Sequence, residues 1–135
     1  MAIDWTGIAE LGTYDTSGFA WSVTLNSDGQ TAYVGDRDSG LQIIDVSDGS
    51  SPMGLGTYDT SGDAMGVALS ADGQTAYVAD GYSGLQIIDV SDGNSPLGLG
   101  IYDTSGHARG VTLSADGQTA YVADYVSGLQ IIDVS

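Results

Sequence analysis

Apolar and polar residues alternate along this chain in short runs, each closed by Gly, Asp or Ser. The run Thr-Ala-Tyr-Val-Ala at 75–79 is rich in strand formers and stops at Asp80, and Leu-Gln-Ile-Ile-Asp-Val at 85–90 follows a Gly-Tyr-Ser-Gly loop. At 64–70, Val67 and Leu69 fall on one face and Gly66, Ala68 and Ser70 on the other. Small residues on one face suit a strand squeezed against neighbouring backbone. Between the runs at 64–70 and 75–79, Asp72-Gly73 supplies the positive-φ positions of a tight hairpin. A fourth run occupies 97–102. Together these predict a four-stranded antiparallel unit.

The unit repeats. Leu-Gly-Thr-Tyr-Asp-Thr-Ser-Gly at 11–18 returns at 55–62 and, with one change, at 99–106, a period of 44 residues. Residues 55–91 and 99–135 are identical at 31 of 37 positions, and 11–54 and 55–98 at 33 of 44, which implies recent duplication or design. Four short strands per repeat of this length predict an all-β fold, a β-propeller of four-stranded blades. A parallel β-helix has shorter coils without Asp-Gly hairpins, and a leucine-rich repeat needs its spaced leucines and Asn. WD40 blades pair Gly-His with Trp-Asp signatures, whereas here Trp-Asp is absent and Gly-His occurs once, at 106–107.

The segments Leu-Gln-Ile-Ile-Asp at 41–45, 85–89 and 129–133 resemble the Leu-Val-Ile-Val-Asp core of LVIVD-repeat propeller proteins, with Gln in place of the first Val. The surrounding Ala-Tyr-Val-Ala-Asp and Ile-Ile-Asp-Val-Ser segments extend the resemblance over nearly the whole chain. It implies the propeller fold and an extracellular or cell-surface setting in a prokaryote, and no common reaction.

Propellers close with about four to eight blades, and this sequence supplies three repeats: 11–54, 55–98, and 99–135 without a last strand, preceded by an N-terminal segment at 1–10. The expected solution is a homodimer of six blades, in which the fourth-strand copy at 11–15 completes the last blade of the other chain. A nine-bladed trimer lies outside the usual range. Ala2-Ile-Asp-Trp5 resembles the end of a third strand, which the repeats already provide.

Composition narrows the partners. The 41% hydrophobic content suffices for a core, and 17 Asp and one Glu against Arg37 and Arg109 give a net charge of −16. Such a surface repels phosphate backbones and anionic membranes, so no nucleic acid or membrane partner is expected. The chain has no cysteine, no apolar run long enough to span a membrane, and at 1–10 neither the basic start nor the apolar centre of a leader. No cofactor and no metal site are expected. The lone His107 would need carboxylates for every other ligand.

Most carboxylates recur in every repeat. Asp28, Asp72 and Asp116 belong to hairpin turns; Asp36, Asp80 and Asp124 end the second strand, where they would cap the following loop or, as a ring, attract a cation. Asp36-Arg-Asp-Ser-Gly40 carries a faint calcium-loop pattern without its closing Glu. Divergence concentrates at Phe19/Asp63/His107, Trp21/Met65/Arg109, Arg37/Gly81/Tyr125 and Asp38/Tyr82/Val126, predicted to share one rim. Of these, Phe19, Trp21, Arg37, Asp38, Asp63, Met65, Tyr82, His107, Arg109 and Tyr125 form a candidate binding face for a carbohydrate or peptide. Asp38 and Asp63 are the only internal carboxylates without counterparts and sketch the paired acids of a glycoside hydrolase. No singular catalytic constellation exists, so the leading expectation is a non-enzymatic, self-assembling scaffold. A ligand-binding module ranks second and a hydrolase third.

Overall fold

The computed structural model describes residues 4–135. The first sheet joins β1 (Ser22–Leu25), β2 (Thr31–Gly35), β3 (Leu41–Asp45) and β4 (Met53–Tyr58) in sequence order. The second repeats it with β5 (Gly66–Leu69), β6 (Thr75–Ala79), β7 (Leu85–Asp89) and β8 (Leu97–Tyr102). The third holds β9 (Gly110–Leu113), β10 (Thr119–Ala123) and β11 (Leu129–Asp133). All neighbours pair antiparallel, and a register shift at Ile43/Ile44 and again at Ile87/Ile88 bends the outer strand of each four-stranded blade.

Turn chemistry sets these boundaries. Gly29, Gly73 and Gly117 take φ of 72°, 73° and 72° in the first hairpin of each blade. The preceding Asp carboxylates accept the amides of Gln30, Gln74 and Gln118 at 2.9, 3.0 and 3.1 Å, as turn residues should. Asp45, Asp89 and Asp133 close the third strand in the same way on Ser47, Ser91 and Ser135.

The core lies between blades. Tyr33, Leu41 and Ile43 of the first blade pack with Ala64, Val67, Ala76, Val78, Ile88 and Val90 of the second. Tyr77, Ala79 and Leu85 then meet Ala108, Ala120, Val122 and Ile132 of the third. Small residues permit the approach of the inner strands, since a methyl group on Gly66 would stand 2.9 Å from the Arg109 carbonyl oxygen. The small face expected of this strand therefore meets backbone of the next blade.

Blades run over 22–58, 66–102 and 110–133, so the repeat boundary expected at residue 54 falls inside β4. Residues 11–14 form no ladder in the described chain, yet they lie on the first blade as β4 lies on the second. A methyl group at Gly12 would strike the Gly49 carbonyl, as one at Gly56 would strike that of Gly93; Tyr14 covers Gly54 as Tyr58 covers Gly98. The segment thus holds the place of a fourth strand belonging to a blade ahead of the first. Met1, Ala2 and Ile3 lie outside the described residues; Asp4 accepts the Thr6 amide at 2.9 Å in a turn rather than a strand.

Gly56→Ala is expected to force β4 away from the Gly93 carbonyl and to destabilise the protein by about 1–3 kcal/mol. A lowered urea midpoint at unchanged slope is the readout.

Candidate functional site

The loops that enter the inner strands and those that leave the second strands share one rim. Arg37 and Gly81 form reciprocal two-residue bridges with Ala64 and Ala108 of the next blade, at 2.9–3.0 Å for the first and 2.9 Å both ways for the second. These bridges hold Arg37 in the left-handed region at φ 53°, and Tyr125 adopts the same conformation at φ 55° in a short 3-10 turn, Tyr125–Ser127.

The variable side chains meet in pairs. Arg37 donates through Nη2 to Asp63 Oδ2 at 3.4 Å and lies over the Trp21 ring at 5.3 Å. Tyr82 and His107 stack edge to face at 4.3 Å. Arg109 covers the Tyr125 ring at 4.0 Å. The chain's two cationic side chains are thus both stacked on aromatic rings of this rim. Phe19, Asp38 and Val126 are exposed there, while Met65 is buried beneath the rim and is not available to a ligand from outside. A polar cleft of about 540 Å3 opens between the first two blades, lined by Asp38, Asp59, Asp63, Thr60, Tyr82 and adjoining backbone.

Asp36, Asp80 and Asp124 are fully buried, and their partners correct the expected role. They cap not the loop that follows but the Thr-Ser-Gly loop that precedes the inner strand. Asp36 accepts Thr16 Oγ1 at 2.7 Å and the Gly18 amide at 2.9 Å, and Asp124 accepts Thr104 Oγ1 at 2.6 Å and the Gly106 amide at 2.8 Å. With both oxygens engaged, Asp36 and Asp124 have little capacity for a cation, and the calcium-loop pattern at 36–40 has a structural origin. Among the described residues, no cluster of three or more acidic, His or Cys side chains is placed to hold a metal ion. In the middle repeat the Gly62 amide still donates to Asp80 at 2.9 Å, but neither Thr60 Oγ1 nor Asp80 Oδ1 closes an aligned bond. The sequence pattern Asp-Thr-Ser-Gly followed by Asp was the signal for this lock. Its ends lie 20 residues apart, so in the sequence each half has the form of a separate turn.

Comparison with known proteins agrees with this geometry. The LVIVD repeat matches three consecutive segments, 17–60, 61–104 and 105–135, and the chain belongs to that family. A putative 6-phosphogluconolactonase from Bacteroides fragilis NCTC 9343 superposes with a TM-score of 0.71 at 26% identity, over 84% of this chain and 34% of that one. The Cps50 (Swd1) beta-propeller domain of Myceliophteria thermophila does so with 0.67 at 17% identity, over 90% of this chain and 37% of that one. Hydrazine synthase of Kuenenia stuttgartiensis gives 0.76 at 19% identity, over 95% and 36%. The fold is therefore that of a β-propeller segment, and the chain spans roughly a third of these relatives. No curated protein sequence matches it.

Burial lifts the Asp80 carboxyl above its ordinary 3.8; the Thr60 hydroxyl and Gly62 amide pull it part of the way back, and the Asp63 and Asp59 charges add to the rise. The folded state then holds this proton more tightly than the unfolded chain, so Asp80 disfavours the fold increasingly as pH rises from 3.8 through the raised value. Asp80→Asn is expected to lose less stability between about pH 4 and 7 than the parent, measured as thermal midpoints. Asp36→Asn, which turns an NH2 toward a donor, costs about 1–3 kcal/mol.

Proposed function

We propose that this protein is a non-enzymatic propeller scaffold that closes its ring head to tail with a second copy of itself. The observation that carries the reading is a comparison of equivalent positions. Val67 between blades is 8% exposed, whereas Val23 on the open face of the first blade is 64% exposed. Leu41 and Leu85 are fully buried and Leu129 is 62% exposed; Ile43 is fully buried and Ile131 is 64% exposed. The two open faces are thus the two halves of the interface that the interior blades already make. Repeating the β7–β8 register across such a seam pairs Leu129 with Tyr14, Gln130 with Thr13 and Ile131 with Gly12 of the second copy.

The magnitudes support association. Val23, Leu25, Leu129 and Ile131 are 54–64% exposed, and covering what remains yields about 1–2 kcal/mol each, or roughly 8–16 over two seams. That offsets the about 4–15 kcal/mol lost on association. Two copies of three blades fall within the usual range of about four to eight.

A second reading rests on the cleft of about 540 Å3 beside Asp38, Asp63 and Tyr82, which suits a carbohydrate or a peptide stacked on the ring. Glycan and peptide arrays probed with the parent and with Tyr82→Ala test it; identical profiles overturn it.

Light scattering is expected to return twice the chain mass of 13.7 kDa. Ile131→Asp is expected to return the single mass while keeping its circular dichroism, because this side chain is already exposed in one chain. Removing residues 1–16 should dissociate or aggregate the protein through the bare edge of β11, and removing 1–7 should leave the mass unchanged. A parent that stays at 13.7 kDa at high concentration overturns the reading.

A further inference from the structure

We propose that the variable rim residues are a junction code: each boundary between blades carries its own side-chain pairing, and the third pairing is completed only by a second copy. This rests on ring closure and deepens it, by naming what fixes which blade meets which. The near-identical framework cannot do so, because residues 55–91 and 99–135 differ at only six of 37 positions. Any blade face would fit any other, and repeats this similar invite slipped or exchanged pairings.

The positions just after the second strand reach forward to the position equivalent to Asp63 on the next blade. At the first boundary the pairing is ionic, Arg37 with Asp63 at 3.4 Å. At the second it is aromatic, Tyr82 edge-on to His107 at 4.3 Å. The forward residues of the third blade are Tyr125 and Val126, 60% and 85% exposed, and the receiving residue of the first blade is Phe19, 66% exposed. These are apolar, match one another, and offer neither charge to Asp63 nor a partner to Arg37. Backbone agrees with side chain. Tyr125 holds the φ of 55° that Arg37 holds at 53° through its bridge to Ala64, and the residue equivalent to Ala64 on the first blade is Ala20. Thr24 likewise donates to the Val67 carbonyl of the next blade at 2.7 Å. Its equivalent Thr112 stands at the open face, where the matching acceptor is the Val23 carbonyl of a second copy.

Within the first and third blades the code is backed by a second pair. Trp21 supports Arg37 and, with the roles exchanged, Arg109 supports Tyr125. The whole ionic junction can therefore be copied onto the seam. Phe19→Asp supplies the receiving charge, while Arg109→Trp with Tyr125→Arg reproduces the Trp21–Arg37 pair on a backbone already in the required conformation.

Sedimentation velocity over a concentration series reads the self-association of the parent, of Phe19→Asp, and of the triple variant Phe19→Asp/Arg109→Trp/Tyr125→Arg. Phe19→Asp should weaken association about tenfold or more. The triple variant should regain at least about fivefold of that loss, and its association should weaken with added salt relative to the parent. Circular dichroism confirms that each variant is folded, as substitutions at exposed rim positions should be. If Phe19→Asp associates as tightly as the parent, or the folded triple variant regains nothing, the code is overturned while closure stands. A monomeric parent overturns closure and the seam code with it.

Discussion

Everything in this molecule depends on the packing of one blade face against the next. A single four-stranded blade buries little alone; its Tyr, Leu and Ile side chains are covered only when the following blade brings up its own Val and Ala positions. Stability is then a sum over junctions rather than over blades, as in other repeat architectures. A three-blade segment contains two junctions and two unfulfilled half-junctions. The apolar side chains stranded on those halves, Val23 and Leu25 at one end and Leu129 and Ile131 at the other, are equivalents of residues that are covered inside.

The buried carboxylates connect this packing to the rim. Asp36 and Asp124 each hold the loop that enters their blade's inner strand through a hydroxyl and an amide, so the loop starts from a fixed backbone. A charge removed from water is tolerated when hydrogen bonds replace its hydration. Where that replacement is incomplete, at Asp80, burial shows in its raised proton affinity. Rim side chains such as Asp63 and His107 sit just beyond these locked loops, which lets exposed residues meet with defined geometry.

The chain is strongly acidic, with 18 carboxylates against two arginines, and all of the carboxylates but the buried Asp36, Asp80 and Asp124 leave that charge near the surface. Both arginines lie over aromatic rings of the rim, which gathers their positive charge there. Family membership adds the fold and leaves the role of this rim to its own chemistry, and the solved structures that superpose on the chain are about two and a half times its length.

Much of the fold was legible in the sequence because it is carried by local chemistry. The second, third and fourth strands of the middle repeat begin where their runs of strand formers begin, and Asp-Gly turns and Asp-Xaa-Ser strand ends are decided within a few residues by φ preference and short hydrogen bonds. The period, read at 44 residues, was equally plain, and with it the blade count. Phase was not, since a repeat can be cut anywhere, and only the ladders show that 53–58 closes the first blade. Tertiary structure alone decided that Asp36 locks a loop 18 residues upstream, that Met65 is covered, and that Arg37 finds Asp63 and Tyr82 finds His107. The Asp36 lock spans its own blade, and the two side-chain pairings join different blades. The angle and offset at which one blade meets the next are set by the packing of whole faces, which no local segment encodes.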